Sequence, residues 1–117
     1  MKNMKVWCID PQYGGTKIPP NIQKEVLDRV TAHSLKCPWN KKFQIKVRFN
    51  GQFCYLDASE NSNEAFPIGR LRYFGKDEWS LAFYTYSNER YQPCVFKDGG
   101  WYGTIEQAVD ICSVYLI

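Results

Sequence analysis

The spacing of apolar residues near the start of the chain predicts an amphipathic helix. Its apolar stripe consists of Ile22, Val26, Leu27 and Val30. Pro20 suits the first helical turn, where a missing N–H costs nothing. The helix should end near Ser34 or Leu35, because the residue before Pro38 avoids helical backbone angles.

A second helix is predicted at the end of the chain. Thr104 and Gln107 have the spacing of a capping box, in which each side chain bonds the other residue's backbone N–H. The apolar stripe that follows consists of Ile105, Ala108, Val109, Cys112 and Leu116. This one-sided stripe is expected to pack on a sheet.

Strict alternation of apolar and polar residues over 43–49, followed by Asn50-Gly51, predicts a β-hairpin. A type I′ turn at Asn50-Gly51 would place Arg48 opposite Phe53 and Val47 opposite Cys54. The face assigned to the core then carries Phe43, Ile45, Val47, Phe49, Cys54 and Leu56.

The segment 59–66 (SENSNEAF) has no period and is predicted to be a surface loop. Residues 68–74, 79–86 and 90–96 then read as three antiparallel strands of a meander. Pro93 marks an edge strand or a bulge, because it cannot donate to a ladder. The expected inner side chains of these strands are Leu71, Tyr73 or Phe74, Leu81, Phe83 and Val95.

These elements predict an α+β fold: one antiparallel sheet of five to six strands with two helices packed on one face. The 117 residues are expected to form a single domain. Within it, 1–17 is a leader strand or arm, and 18–117 holds the helix, the antiparallel sheet and the closing helix.

Composition and charge narrow the class of protein. With 44% hydrophobic residues the chain is not a disordered one, and a net charge of +3 is too small to indicate nucleic-acid binding by itself. No apolar run approaches the ~20 residues of a membrane helix, and the start of the chain does not resemble a signal peptide. The five cysteines have irregular spacings, so we expect reduced thiols and a cytoplasmic protein.

Few residues in the chain suggest catalysis or metal binding. The single histidine, His33, precedes Cys37 by four residues, but Pro38 breaks the helix, so this spacing need not bring the two together. The cysteines form no close pairs, so zinc is not expected, and the turn glycines lack the contexts of phosphate-binding loops. We therefore predict no metal, no cofactor and no catalytic residue.

The remaining candidate is the sheet face opposite the core, which the alternation makes rich in aromatic and basic side chains. Its predicted binding residues are Lys46, Arg48, Phe53, Tyr55, Arg70, Arg72, Tyr84, Tyr86, Arg90 and Tyr91. Ordinary cross-strand pairing would explain such a face without any function. Tyrosine and arginine are also enriched at protein–protein hot spots, and exposed aromatic rings can stack on single-stranded nucleic acid.

We accordingly expect a non-enzymatic binding or accessory domain that uses this face for a protein partner or for self-association. A single-stranded nucleic-acid partner is the weaker alternative, and no membrane partner is expected. A small enzyme using Cys37 with His33, or a tyrosine–arginine pocket, is the alternative from another class.

Three segments resemble a group of small bacterial single-domain proteins with no assigned activity. They are GQFCYLDA (51–58), RLRYFGKDEWSLAFYTYSNERYQPCVF (70–96) and GTIEQAVDICSVYL (103–116). The resemblance covers 18–117, and its motifs mark structural positions rather than catalytic residues. It implies a compact bacterial domain, and no catalytic residue can be carried over from it.

Overall fold

The computed structural model describes residues 12–61 and 63–116. Its helices and strands follow one another along the chain as α1 (Pro20–Ser34), β1 (Phe43–Asn50), β2 (Phe53–Glu60), β3 (Phe66–Tyr73), β4 (Trp79–Thr85), β5 (Arg90–Cys94), β6 (Tyr102–Gly103) and α2 (Ile105–Cys112). Short 3-10 helices cover Pro38–Lys41 and Ser113–Tyr115.

The strands form one antiparallel sheet in the order β1-β2-β3-β4-β5. The two-residue strand β6, which the sequence pattern did not predict, pairs with β4 at Trp79 and Ser80. Helix α1 packs on β1 and on α2, and α2 packs on β3 and β4. The predicted α+β fold with a five- to six-stranded sheet is therefore confirmed, and Pro93 lies in the edge strand β5 as expected.

The part of the predicted leader that the structure describes runs along one end of the sheet without forming a strand. The Thr16 N–H donates to the Tyr73 carbonyl at 2.9 Å, and the Ile18 N–H donates to the Gly51 carbonyl at 3.0 Å. Ile18 is completely buried. The strand considered for residues 1–10 lies outside the described residues.

The register of the first hairpin differs from the prediction. Asn50 pairs with Phe53, and Arg48 pairs with Tyr55 rather than with Phe53. The turn residues are therefore Gly51 and Gln52, and of these only Gly51 has a positive φ, +62°, which fits a type II′ turn with glycine first. The shift equals two residues, the period of a strand, so every side chain keeps its predicted face.

The predicted loop 59–66 is shorter in the structure, because β2 continues to Glu60 and β3 begins at Phe66. A bulge explains why alternation failed here: Leu56 pairs with Gly69, but Asp57 pairs with Pro67, so Ile68 is skipped. This extra residue turns Phe66 to the side of Phe43, and the two rings meet edge-on at 6.4 Å.

The core lies between the sheet and the two helices. It consists of residues such as Leu56, Ile68, Leu71, Trp79, Leu81, Ile105, Val109 and Cys112, all almost completely buried. Gly69 is needed where α2 meets β3, because a Cβ there would lie 2.5 Å from Cys112 Sγ.

Two predicted core residues are exposed. Leu27 lies at the margin of the α1 stripe, and Val95 follows the end of β5, where Cys94 packs against the core instead. Of the pair considered for one inner position, Tyr73 is the buried residue, while Phe74 is half-buried.

The helix ends and one ion-pair cluster tie the helices in place. Thr104 and Gln107 make the predicted capping box of α2, whereas α1 begins without a side-chain cap. The Arg29 guanidinium on α1 bonds both carboxylate oxygens of Glu106 on α2 and both oxygens of Asp77 in the β3–β4 turn. In the described part of the chain, neither helix has the length and apolar character needed to cross a lipid bilayer.

Candidate functional site

The outer face of the sheet, opposite the helices, joins eight of the ten predicted binding residues into one connected layer. We call this the outer layer: Arg48, Phe53, Tyr55, Arg70, Arg72, Tyr84, Tyr86 and Tyr91. Alternation on β1 to β5 places its members on one side, since each strand turns every second residue away from the core.

The arginines of the outer layer lie over aromatic rings. The Arg48 guanidinium carbon is 4.4 Å from the centre of the Tyr55 ring, and Arg70 lies 4.6 Å from Phe53 and 5.1 Å from Tyr91. Arg72 lies over the same Phe53 ring at 4.7 Å. The register explains two of these contacts, because Arg48 pairs directly with Tyr55 and Arg72 pairs directly with Phe53.

The tyrosines of the outer layer continue as a chain of rings that meet edge to face. Tyr55 contacts Tyr91 at 5.8 Å, Tyr91 contacts Tyr84 at 5.0 Å, and Tyr84 contacts Tyr86 at 4.8 Å. Tyr91 on β5 reaches Tyr55 on β2 across β3 and β4, and on β4 the position between them carries the small side chain of Ala82.

Tyr115 from the C-terminal 3-10 helix extends this chain of rings. Its ring meets Tyr86 at 5.3 Å, and its hydroxyl donates to the Tyr84 carbonyl. Sequence reasoning missed Tyr115, because it follows the last helix and belongs to no alternating pattern.

A carboxylate that the prediction also missed lies under the outer layer. Asp57 is only 8% exposed, and Arg48 bonds it through two nitrogens, with Nε 2.6 Å from Oδ2 and Nη2 3.3 Å from Oδ1. The alternation of Phe53, Tyr55 and Asp57 carried the signal that could have found it. The charge of Arg48 is therefore balanced within the fold.

Two phenols of the outer layer, those of Tyr86 and Tyr91, have raised pKa values. Burial raises the pKa of Tyr86 to about 12, with smaller contributions from Tyr115 and Tyr84. Burial also raises the pKa of Tyr91, and the Asp57 charge adds to this while Arg48 opposes it. Phenols of this kind donate hydrogen bonds at neutral pH and are poor general bases.

Two predicted binding residues lie apart from the connected layer. Lys46 is exposed on the outer face, opposite Asp57 in the register. Arg90 is opposite Thr85, one residue out of phase with Tyr84 and Tyr91, so its side chain belongs to the other face at the end of the sheet. The prediction that Arg90 and Tyr91 share one face was wrong, because neighbouring strand residues alternate.

The structure also brings together the Cys37 and His33 that the sequence spacing left apart. After α1 the chain turns back, and the Cys37 thiol donates to the His33 carbonyl at 3.3 Å, while His33 Nε2 lies 2.7 Å from Asp110 Oδ1 on α2. Burial, and secondarily Asp110, raises the pKa of the Cys37 thiol. A raised thiol pKa opposes a nucleophilic cysteine, which needs thiolate.

Three surface depressions, of about 340, 230 and 150 Å³, lie away from the outer layer. The first two lie near the start of β1 and the third lies against α2. The outer layer itself is a continuous packed surface, which is typical of a docking face rather than of a substrate pocket.

We compared the chain with protein-family models, curated proteins and solved structures, and found no significant match. The resemblance to small bacterial proteins stays a prediction, and the candidate function therefore rests on the geometry of the described residues alone.

Proposed function

We propose that this protein is a non-enzymatic binding module whose outer layer docks a partner protein carrying carboxylates beside apolar side chains. The observation that carries the proposal is the position of Arg70, whose guanidinium lies against the rings of Phe53 and Tyr91. Stacking on rings occupies the faces of a guanidinium and leaves the N–H donors at its edge for a carboxylate.

Charge supports an acidic partner. Asp57 balances Arg48, but among the described residues no carboxylate lies within ion-pair distance of Arg70. A second copy of the chain would bring arginines of like charge together, which disfavours self-association through this face.

The ring geometry supports a protein over single-stranded nucleic acid. Bases stack on open ring faces, whereas here guanidinium groups cover Phe53 and Tyr55, and the tyrosine rings meet one another at interplanar angles of 62° to 87°. Tyrosine and arginine packed in this way resemble the anchor residues of protein interfaces.

Selection of random peptides displayed on phage, with the purified protein as bait, tests this proposal. Enriched peptides should carry Asp or Glu next to an apolar residue. Their affinity should fall about tenfold or more in Arg70→Gln and in Tyr84→Ala, the range expected for hot-spot residues. Lys24→Gln, an exposed lysine on α1, is the matched control and should leave affinity unchanged.

Three results would contradict the proposal. If Arg70→Gln bound the peptides with unchanged affinity, the outer layer would not be the binding surface. A dimer seen by light scattering and lost in Tyr84→Ala would replace the partner with a second copy. Tight oligothymidylate binding that weakens steeply with salt would assign the face to nucleic acid instead.

A further inference from the structure

A cluster of three potential metal ligands lies where α1 and α2 meet: two come from residues four apart in the chain, and the third comes from the distant helix α2. His33 belongs to the last turn of α1, Cys37 to the loop that follows it, and Asp110 to α2. One ligand atom from each side chain lies within 4.8 Å of the other two. The cluster shares no residue with the outer layer, so it is independent of the proposed function.

The chemistry of the three donors matches zinc. Imidazole nitrogen, thiolate sulfur and carboxylate oxygen are its usual ligands, at distances of about 2.0 to 2.3 Å. In a tetrahedral site such ligands lie roughly 3.3 to 3.8 Å apart, so the separations here require only small side-chain rotations. A thiolate and a carboxylate also supply two negative charges against the two positive charges of the ion.

The backbone holds the cysteine in place before any metal binds. The Lys36 N–H donates to the His33 carbonyl at 3.0 Å, and the Cys37 N–H donates to the Ser34 carbonyl at 3.0 Å. Pro38 then fixes the start of the next 3-10 helix, and the Asn40 N–H donates back to the Cys37 carbonyl at 3.1 Å. A donor fixed in this way loses little conformational freedom on binding.

The spacing between the helices is fixed one turn earlier. Arg29 and Glu106, each four residues before His33 and Asp110, join the two helices through bonds of 2.9 and 2.5 Å. His33 and Asp110 therefore make a second contact between the helices, in which His33 Nε2 lies 2.7 Å from Asp110 Oδ1. Asp110 is exposed and also lines the 150 Å³ depression beside α2, so solvent can reach the contact between His33 and Asp110.

We propose that His33, Cys37 and Asp110 bind one zinc ion, with water as the fourth ligand. The ion bonds His33 Nε2 in place of the hydrogen that lies between His33 and Asp110, and in the neutral imidazole that hydrogen moves to Nδ1. The thiol releases its proton to solvent as the Zn–S bond forms. Because a proton is released, affinity rises with pH. The ion would join the end of α1, the following loop and α2.

Titration of the reduced full-length protein with zinc, and separately with cobalt as a spectroscopic substitute, tests the site. One equivalent of zinc should bind, and cobalt should give thiolate-to-metal absorption. Cys37→Ser, His33→Gln and Asp110→Asn should each weaken zinc binding about tenfold or more. Cys94→Ser, which removes another half-buried thiol, is the matched control and should bind zinc as the unmodified chain does.

A second measurement avoids any dependence on the folding of the variants. In the unmodified protein, zinc should protect Cys37 from alkylation and leave Cys94 unprotected, as read from the masses of the digested peptides. The site would be overturned by no binding of zinc at a tenfold excess over protein, by binding that survives Cys37→Ser, or by alkylation of Cys37 that zinc does not slow.

Discussion

On the helix-covered face of the sheet Leu71 and Leu81 have no exposed surface, whereas one position along the chain Arg70 stays partly exposed over aromatic rings on the outer face. The two faces are built from alternate residues of the same strands. The helix-covered face is held by non-directional burial, and the outer face by contacts of rings with guanidinium groups. This difference indicates that the fold depends on the helix-covered face more than on the outer face.

The helix-covered face is also expected to contribute more to the free energy of unfolding than the outer face. Complete burial of a leucine side chain contributes about 1.5 to 3 kcal/mol, whereas a cross-strand pair on an open face contributes roughly 0.2 to 1 kcal/mol. Stability alone therefore demands little of the outer layer. Its connected rings and arginines are more than a sheet needs for folding, which is why we propose a binding role for it.

The largest effect should come from the helix-covered face. Leu71→Ala removes a completely buried side chain between sheet and helix and should lower the free energy of unfolding by about 2 to 5 kcal/mol. Urea denaturation measures it, with the exposed Val114→Ala as a control that should change little. A loss below about 1 kcal/mol for Leu71→Ala would mean that this face is not the core.

The next effect concerns the turn that aligns both faces. Gly51 has φ of +62° and open space around its Cα, so Gly51→Val acts through the backbone alone. It should cost more than about 1 kcal/mol, because a β-branched residue resists positive φ. Gly51→Asn, which tolerates this conformation better, should cost less. An unchanged melting temperature for Gly51→Val would contradict the turn at Gly51-Gln52.

Alternation predicted the two faces better than it predicted the pairing. The hairpin register was wrong by two residues, yet Arg48 and Val47 kept their faces, because the side-chain period of a strand is also two. The bulge that skips Ile68 depends on how β2 and β3 meet, so alternation within either strand could not fix its position. Within one strand, sequence pattern sufficed; between strands it did not.

The residues that sequence reasoning missed are brought in by tertiary structure. Tyr115 reaches the outer layer from beyond the last helix, and Asp110 reaches His33 from the opposite end of the chain. Neither approach follows from spacing. The capping box at Thr104 was predicted correctly because both of its partners lie within one helical turn.

A smaller effect on stability should come from the ion pair that joins the two helices, here called the Arg29–Glu106 clamp, than from the apolar core. The Arg29 guanidinium bonds Glu106 and holds the pKa of that carboxyl below its usual 4.5. A lowered pKa in the folded state stabilises the fold above the unfolded pKa, and this contribution is lost as the pH falls through the folded value. Glu106→Gln should thus cost about 1 kcal/mol or less at neutral pH, as partly exposed ion pairs do.

Thermal unfolding at a series of pH values checks this clamp. The difference between Glu106→Gln and the unmodified protein should shrink as the pH falls below about 4.5, whereas Glu64→Gln, in an exposed loop, should show little difference at any pH. A Glu106→Gln difference that stays constant down to strongly acidic pH would show that the charge of Glu106 plays no part in the clamp.

The smallest effect should come from the outer layer itself, which makes it the sharpest test of the comparison. Arg70→Ala removes the contacts with Phe53 and Tyr91 but leaves the ladder of β3 intact, so it should cost only a few tenths to about 1 kcal/mol. Arg90→Ala, at an exposed position of the other face, should cost less. Both are measured by urea denaturation beside Leu71→Ala, the neighbour of Arg70 on the same strand. If Arg70→Ala cost as much as Leu71→Ala, the outer layer would belong to the folding core, and its composition would need no binding partner to explain it.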